Sequence, residues 1–566
     1  MMRGRAGAGG HVPGRAVRPP HMMEYVMKED PNDVMHASKP RLIVFAHLCN
    51  PDFVTGAEKL TAFMLRELAA WYDCVLAVPG EGRIAADARA DGIRTAVLPL
   101  SLAPSFYLGL PHWRRELQEG MAGEPFRQLV RWLASEEPAA VLTATCVHPL
   151  PAVAARALGI PVVWAVMEAM RETEHTAEIA GFIAAHADRI VGISETVLAP
   201  FRSPEAGAKA ALLPPSWDDH ALRPEEWPLH RDSTRRMLGV DASQPLVGFV
   251  ASSIYANKGF HHFMEATLAA AARHPEARFL IAGNPVDQPY FEAGLGMARE
   301  AGMLDRYRWI RYESRIDRIY PALDALVVPS LAPEGFGLTA LEGMVFGKPV
   351  VSYAAGGLAE IHAATDNAEW AVPTGDAAAL AAALIRLLDR PGELAGIGAR
   401  SREAAVAAFG IDAYRARLQA FLASFRPESM PRGLLIRGSG PAVYLRQGIA
   451  LRPFASKAAF LAAGHRPEDV RQVPDEVIAA LPQGPAIGGG AARGGGRRRR
   501  RARRMRSGRG ARGRRRSPRG ARARRPSGRR ARRHARRGGR IVRRRVAGSG
   551  RRRVRARRGR FRRRRG

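Results

Sequence analysis

Residues 325–342 read ALVVPSLAPEGFGLTALE, and this stretch decides the fold. It begins with a short, continuously apolar run at 325–329, which is typical of a buried strand. A glycine-containing loop follows at 333–337, and apolar residues then recur at helical spacing from Leu338. A buried strand that leads through a glycine loop into a helix indicates a parallel sheet with helices on both faces.

The same alternation repeats on both sides of this stretch. Pro214, Pro215 and a polar segment to about Ser243 interrupt it once. We therefore predict two tandem Rossmann-like, doubly wound α/β domains at 40–213 and 244–408, joined by a linker at 214–243, with the ligand in the cleft between them. The predicted strands lie at 41–46, 74–79, 139–143, 161–164, 189–193, 246–250, 279–283, 325–329 and 349–352. The predicted helices include 59–71, 260–273, 287–301, 338–346, 376–389 and 391–408.

The chain continues beyond the second domain. We predict a C-terminal helix at 409–430 that packs back, and then a small α+β module at 433–485. Within the module, residues 434–445 indicate a hairpin around the turn at 438–441. The module resembles a short repeat appended to bacterial surface and envelope proteins, through residues such as 437–439 and 452–456. Docking to an envelope component or a partner is one hypothesis for its role.

The formal net charge of +35 comes from one segment. Residues 493–566 contain 39 of the 88 basic residues and no acidic residue, so the rest of the chain has 49 basic against 53 acidic residues. We predict that the Gly/Arg-rich tail at 486–566 and the leader at 1–39 are disordered. The tail could bind nucleic acid or anionic lipid, be a solvated appendage, or be a wrong-frame translation. Phe561 is its one aromatic residue that could stack on bases, so nucleic-acid binding is disfavoured as the main role.

The chain has three scattered cysteines, Cys49, Cys74 and Cys146, which fits a reducing compartment better than a disulfide framework. No apolar run approaches the ~20 residues of a membrane-spanning helix. Residues 1–40 lack the apolar core of a signal peptide. These features favour a cytoplasmic protein, with peripheral contact at the inner face of the plasma membrane as the alternative.

Two carboxylates of the opening stretch can face the same cleft, because Glu334 lies in the loop and Glu342 lies one to two turns into the helix. Ionised carboxylates only accept hydrogen bonds, which suits sugar and ribose hydroxyls. Gly335 and Gly337 let the backbone approach a ligand, and the free amides at a helix start favour phosphate. Without this context, two such glutamates would be typical of a solvated helix surface.

This stretch, with Gly347-Lys348-Pro349 after it, resembles the E-x7-E motif of retaining glycosyltransferases with the GT-B fold, of the group 1 or family 4 type. The likeness continues in 349–361, 373–376, 193–195 and 212–214, and covers about 40–425. It implies transfer of a sugar from a UDP or GDP sugar to an envelope glycan, a lipid-linked acceptor or another acceptor. It also implies retention by front-face displacement, with no metal and no cofactor besides the nucleotide sugar as co-substrate.

The resemblance assigns roles to particular residues. Lys258, in Asn257-Lys258-Gly259, would compensate the diphosphate charge, and Glu342 would bind the ribose. Glu334 and the amides of 335–338 would hold the donor sugar and phosphate. The implied donor-binding residues are Gly56, Lys258, Glu334, Gly335, Phe336, Gly337, Leu338 and Glu342, and the candidate catalytic residues are Glu334, Lys258 and Glu168.

The sequence departs from the family pattern at three positions. Ser253 stands where an arginine is usual, Met167 where a histidine is usual, and Thr55 where the first glycine of the loop at 51–58 is usual. Either Glu168 or His148 would then supply the polar group that Met167 lacks, or the enzyme would work without one. Two other functions stay open, a nucleotide-sugar epimerase of the same architecture and a polyanion-binding protein that works through the tail.

Overall fold

The computed structural model describes residues 39–51, 54–217, 219–311, 313, 315–425 and 433–488. All of them belong to one compact unit, residues 1–492. The predictions for the leader and for nearly all of the tail therefore lie outside the described residues. No helix within the described ranges is long and apolar enough to cross a membrane.

The first sheet is built from seven parallel strands in the order β3-β2-β1-β4-β5-β6-β7. Its central strands are almost wholly buried, which explains their continuous apolar sequence. The strands are β1 (Arg41–Phe45), β2 (Asp73–Val78), β3 (Arg94–Val97), β4 (Ala140–Ala144), β5 (Val162–Val166), β6 (Arg189–Gly192) and β7 (Ala210–Leu212). The helices are α1 (Gly56–Leu68), α2 (Arg83–Ala90), α3 (Pro104–Leu108), α4 (Trp113–Ala122), α5 (Glu124–Glu136), α6 (Pro149–Ala157), α7 (Thr176–His186), α8 (Glu195–Leu198) and α9 (Pro204–Gly207).

The second sheet has six parallel strands in the order β10-β9-β8-β11-β12-β13. Two helices precede it, α10 (Asp219–Leu222) and α11 (Trp227–Leu238). Its strands are β8 (Leu246–Ile254), β9 (Arg278–Pro285), β10 (Tyr307–Ile310), β11 (Ala325–Val328), β12 (Val350–Tyr353) and β13 (Ala371–Val372). Its helices are α12 (Phe260–Arg273), α13 (Gln288–Glu300), α14 (Leu338–Val345), α15 (Gly357–Ala364), α16 (Ala377–Leu388), α17 (Leu394–Phe409) and α18 (Ile411–Ser424).

The prediction of two tandem Rossmann-like α/β domains is confirmed by these two sheets. In each sheet the strand order reverses once, between β1 and β4 in the first and between β8 and β11 in the second. Ligands of such sheets bind outside the carboxyl ends of the strands at these reversal points. The fold therefore provides two candidate ligand-binding edges, one in each domain.

The small module has a four-stranded sheet in the order β16-β15-β14-β17. The predicted hairpin is present, because β14 and β15 pair antiparallel with Ile436 opposite Tyr444. The module touches the first domain, where Arg471 Nη1 donates to the carbonyl of Arg156 at 2.7 Å. Its elements are β14 (Leu434–Arg437), β15 (Val443–Gln447), β16 (Ala450–Pro453), α19 (Lys457–Ala462), β17 (Arg471–Gln472) and α20 (Asp475–Ala480).

Helix α18 crosses back to the first domain. The Tyr414 ring packs edge-on against Phe63 of α1, with centroids 4.9 Å apart. The Arg415 guanidinium forms two hydrogen bonds to the carboxylate of Glu67, at 2.7 and 3.0 Å. These contacts join the end of the second domain to α1, whose first turn faces the cleft.

Candidate functional site

A cavity of about 200 Å³ lies between the two sheets. Its walls come from the start of α1, the loops after β5 and β6, the end of β8 with the turn that follows it, and residues 327–330 and 334–339. The second sheet thus contributes the segments after β8 and β11, which flank its reversal point. The cavity brings together seven of the predicted donor-binding residues, Gly56, Lys258, Glu334, Gly335, Phe336, Gly337 and Leu338.

Lys258 and Glu334 meet at the centre of this site. The Lys258 ammonium donates to Glu334 Oε1 at 2.6 Å, and the Ser330 hydroxyl donates to the same oxygen at 2.6 Å. Burial lowers the pKa of Lys258, but the charge and hydrogen bond of Glu334 outweigh that effect, so the net shift is upward. The ammonium therefore stays charged at neutral pH and has further N–H donors for an anionic ligand.

The turn that carries Lys258 requires a glycine next to it. Gly259 has φ of +68°, and a Cβ added there would lie 1.9 Å from the carbonyl oxygen of Pro329. The Leu331 amide also donates to the carbonyl of Asn257 at 2.8 Å. These contacts fix the Lys258 turn to the segment after β11, which leads into the loop that carries Glu334.

Helix α14 points its N-terminus into the cavity. It begins at Leu338 after Gly337, whose φ of +108° is open to glycine and strained for other residues. The amides of Leu338 and Thr339, both in the cavity wall, have no earlier carbonyl in the helix to bond. Such amides, with the positive end of the helix dipole, form a site for phosphate oxygens.

Gly335 is the point where the two domains approach each other. A Cβ added to Gly335 would lie 2.3 Å from the carbonyl oxygen of Met167 in the first domain. The Ser194 hydroxyl, also from the first domain, donates to the carbonyl of Gly335 at 2.5 Å. The loop that carries Glu334 is thus in direct contact with the first domain across the cleft.

Gly56 opens α1 on the opposite wall of the cavity. The Thr55 hydroxyl accepts from the Glu58 amide at 3.3 Å, and the Glu58 carboxylate accepts from the Thr55 amide at 2.8 Å. This capping box fixes the start of the helix. Glu58 is therefore a structural residue of the loop, whose residues 52 and 53 lie outside the described ranges.

Glu342 does not line the cavity but lies beside it, between the domains. Its carboxylate accepts from the buried Tyr320 hydroxyl at 2.7 Å and from the Lys59 ammonium of α1 at 3.3 Å. Sequence reasoning missed Lys59 and Tyr320, because neither belongs to a recognised motif. The predicted ribose-binding carboxylate is thus occupied by two hydrogen-bond donors, one from each domain.

Neither candidate for the missing polar group lines the cavity. The Glu168 carboxylate accepts from the amides of Cys146 and Met167, at 3.1 and 3.3 Å. Burial raises its pKa, although those hydrogen bonds oppose the shift. His148 is buried, and neither ring nitrogen has a hydrogen-bond partner among the described residues. The catalytic role of Glu168 stays a prediction.

Ser253 stands where an arginine is usual, so this position adds no positive charge. Among the described residues that line the cavity, Lys258 is the only lysine or arginine. Ser253 itself lies on β8, beyond an irregularity in the pairing of β8 with β9. Compensation of a bound diphosphate would therefore fall on Lys258 and the α14 amides.

Glu360 forms a further polar contact between the two domains, and the sequence alone did not single it out. Glu360 of α15 accepts from the amides of Glu195 and Thr196, both at 2.8 Å, and from the Thr196 hydroxyl at 2.5 Å. Glu360 thereby caps the N-terminus of α8 in the first domain. The family-like segment 349–361 contains Glu360, but the residue that it caps, Glu195, lies 165 residues away in the sequence.

The variant Glu360→Gln should lower the free energy of unfolding by about 1–2 kcal/mol, because a neutral amide is a weaker cap than a carboxylate with three donors. Urea unfolding followed by circular dichroism measures this. Glu369→Gln is the matched control, because Glu369 is exposed and its side chain forms no hydrogen bond or ion pair with the described residues. Equal unfolding midpoints for the two variants would show that the cap contributes nothing.

Three buried histidines lie near the strand ends of the two sheets. Burial lowers the pKa of His47 and His362 to about 4 and that of His148 to about 3. Glu58 opposes the shift of His47, Asn367 opposes that of His362, and His47 adds to that of His148. All three are therefore neutral in the folded chain at neutral pH.

These lowered pKa values predict a stability loss in mild acid. Between pH ~6.5 and ~4 the unfolded chain binds a proton at each histidine and the folded chain does not. The stability is therefore complete above pH ~6.5 and falls below it, by up to ~1.4 kcal/mol per pH unit for each histidine. Urea midpoints at pH 7.5, 6.5, 5.5 and 5.0 measure the slope.

His148→Phe should make this slope shallower, because it removes one of the three titrating rings and no ring hydrogen bond to a described residue. Exposed His112→Gln should leave the slope as in the parent chain. A parent chain whose stability is flat across this range would contradict the assignment.

Comparison with known proteins gives a family match over part of the chain. Residues 230–404 match the family model described as glycosyl transferases group 1. That range contains Lys258 and the loop and helix that carry Glu334 and Glu342.

Curated relatives match part of the chain. A 2-deoxystreptamine N-acetyl-D-glucosaminyltransferase of Streptomyces fradiae is 36% identical over 173 residues, or 30% of this chain and 39% of that protein. A D-inositol 3-phosphate glycosyltransferase of Mycolicibacterium smegmatis is 33% identical over 232 residues, or 39% of this chain and 50% of that protein. The chain thus spans half or less of the length of these relatives.

Solved structures share the fold. HepE of Anabaena in complex with UDP matches 68% of this chain and 100% of its own, with a TM-score of 0.56 and 17% identity. Sucrose-phosphate synthase of Thermosynechococcus elongatus matches 68% of this chain and 99% of its own, with a TM-score of 0.52 and 20% identity. The two sheets therefore form a GT-B fold, and residues 230–404, within its second half, are similar to the glycosyl transferases group 1 family.

Proposed function

We propose that this protein is a glycosyltransferase that moves a sugar from a UDP or GDP sugar to an acceptor, with retention of configuration. The observation that carries the proposal is the arrangement of Lys258, Glu334 and the first amides of α14 around one cavity between the sheets. A cation and a helix N-terminus suit a diphosphate, and a carboxylate beside them suits sugar hydroxyls. The UDP in the HepE structure, whose fold is shared, supports a uridine nucleotide as the first donor to test.

In this proposal the nucleotide lies on the second domain. Lys258 and the amides of 338 and 339 hold the diphosphate, Glu334 accepts from sugar hydroxyls, and Glu342 accepts from the ribose. Lys59 and Tyr320 occupy Glu342 in the free protein, so the ribose hydroxyls replace or join these donors. Lys59, on the first domain, then links nucleotide binding to the position of that domain.

Transfer would follow a front-face displacement. The bond from the sugar's anomeric carbon to the leaving phosphate oxygen breaks, and the acceptor oxygen bonds to the same face of that carbon. The acceptor's proton passes to a leaving phosphate oxygen. The Lys258 ammonium and the α14 amides stabilise the negative charge that develops on the diphosphate, which is the main electrostatic contribution of this chain.

The acceptor would enter over the first domain, beside Gly56 and the loop that begins with Met167. We propose an envelope glycan, a lipid-linked sugar or a small polyol as the acceptor class, and a cytoplasmic site of action with contact at the inner face of the membrane for a lipid-linked acceptor. D-Inositol 3-phosphate and 2-deoxystreptamine, named in the relatives, are the first small acceptors to try.

A two-step experiment tests the proposal. UDP, GDP and their common sugars are screened by thermal shift, because a ligand that binds the folded state raises the melting temperature by mass action. The donors that stabilise the chain are then incubated with each acceptor, and the products are identified by mass spectrometry and NMR. An α-linked product from an α-linked donor supports the proposal, whereas interconversion of the free nucleotide sugar without an acceptor would identify an epimerase instead.

A further inference from the structure

A second groove lies on the second domain and shares no residue with the cavity between the sheets. It has a volume of about 740 Å³ and runs between α11 and α17. Its wall includes one aromatic, four charged and one aliphatic side chain, those of Trp227, Arg231, Lys348, Arg402, Glu403 and Val406.

Lys348 brings an uncompensated positive charge to this groove. Its ammonium donates to the carbonyl of Pro321 at 3.2 Å, and it forms no ion pair within the described part of the chain. Burial, followed by the nearby Arg231, lowers its pKa to about 8, while Asp324 opposes the shift. The Asp324 carboxylate is already paired with Arg231 at 2.7 Å and with Arg235 at 3.1 Å. An anion in the groove would therefore find an ammonium that has no carboxylate of its own.

Arg402 of α17 supplies a second cation to the wall of the groove. Its guanidinium lies over the Trp227 ring, 4.9 Å from the ring centroid, and no ion pair to a described residue is recorded for it. Glu403, next to it, also lines the groove and can accept from hydroxyl groups. The groove thus combines two cations, one carboxylate and an aromatic wall, with Val406 as an exposed apolar residue beside them.

Contacts between rings connect this groove to Glu342. Trp227 packs on Phe346 with centroids 4.8 Å apart, and Phe346 stacks on Tyr320 at 5.2 Å. The Tyr320 hydroxyl then donates to Glu342 Oε2 at 2.7 Å. Lys348 reaches the same segment through the carbonyl of Pro321, so both walls of the groove touch residues beside Tyr320.

We propose that this groove binds a small phosphorylated sugar and that its occupancy changes the affinity of the cleft for the nucleotide. Lys348 and Arg402 hold the phosphate, Glu403 accepts from the hydroxyls, and the carbon skeleton lies against the exposed side chain of Val406. The second half of the proposal rests on the proposed role of Glu342 in nucleotide binding. Coupling of this kind is reciprocal, so each ligand changes the affinity of the other by the same factor.

Calorimetric titration of the full chain with ribose 5-phosphate, and separately with inorganic phosphate, tests the site. Lys348→Met and Arg402→Gln should each weaken ribose 5-phosphate binding by about tenfold or more, since each removes a charged hydrogen-bond donor. Arg400→Gln, an exposed arginine on the same helix, is the matched control and should bind as the parent does. Arg402 is also exposed, so its variant keeps the test valid if Lys348→Met fails to fold.

Two kinds of result would contradict the proposed site. Absent binding, or equal affinity in the parent, Arg400→Gln and Arg402→Gln, would overturn the site. Inorganic phosphate binding as tight as that of ribose 5-phosphate would overturn the assignment to a sugar phosphate.

A second titration tests the coupling. The Kd of UDP or GDP is measured with and without saturating ribose 5-phosphate, and a change of about threefold or more is expected. An unchanged Kd would overturn the coupling. A chain that binds ribose 5-phosphate but neither nucleotide would overturn the proposed transferase function and the coupling, while the groove would stand on its own titration.

Discussion

Replacing Lys258 with methionine is expected to lower kcat/KM for sugar transfer by about 100-fold or more. Lys258 is the one side-chain cation among the described residues of the cavity wall, and it lies 2.6 Å from Glu334. Removal of one donor to a developing negative charge costs on the order of 10²–10³ in rate. Initial rates with the donor that gives the largest thermal shift measure the loss.

Lys457→Met is the control for this variant, because Lys457 is an exposed lysine in the small module. It should retain the parent rate. A Lys258→Met protein that is folded by circular dichroism and keeps more than a third of the parent kcat/KM would rule out the diphosphate role of Lys258.

Gly335→Ala should have an effect of similar size for a different reason. The added Cβ would lie 2.3 Å from the Met167 carbonyl oxygen, so the loop that carries Glu334 and the first domain must move apart. Displacement of reacting groups by about 1 Å can cost ~10²-fold in rate. Overpacking of this kind also costs about 1–3 kcal/mol of stability. Kinetics and urea unfolding together measure both effects.

Gly296→Ala is the matched control, since a Cβ at Gly296, within α13, meets nothing within 4 Å. It should be as active as the parent chain. Full activity in Gly335→Ala would mean that the close approach of the two domains at this point is not needed for catalysis.

The sequence predicts the central strands of both sheets well, because strands buried on both faces have continuous apolar runs. β4 and β11 are buried at every position, and both are predicted to within one residue. The strands β3, β7, β10 and β13 are missed, and each has exposed or half-buried residues in its run. They are the outermost strands of their sheets, and a strand in that position does not need a continuous run of apolar residues.

The cavity-wall residues that motifs predict are brought together by the fold, because Lys258 and the Glu334 loop both follow neighbouring strands of one sheet. Contacts across the cleft could not be predicted in the same way. Lys59 meets Glu342 over 283 residues of sequence, and that pairing depends on how the two domains face each other. Whether Glu168 and Glu342 line the cavity depends on the same packing of the two domains, and neither does.

Titration of UDP and GDP into the parent chain and into Glu342→Gln tests the central claim most directly. The account predicts saturable binding of one of these nucleotides to the parent, and binding about tenfold weaker in Glu342→Gln, which loses a charged acceptor for the ribose hydroxyls. Glu403→Gln, outside the cleft, should bind that nucleotide as the parent does when no sugar phosphate is present. No binding of either nucleotide to the folded parent chain, or equal affinity in Glu342→Gln, would contradict the placement of the donor in this cleft.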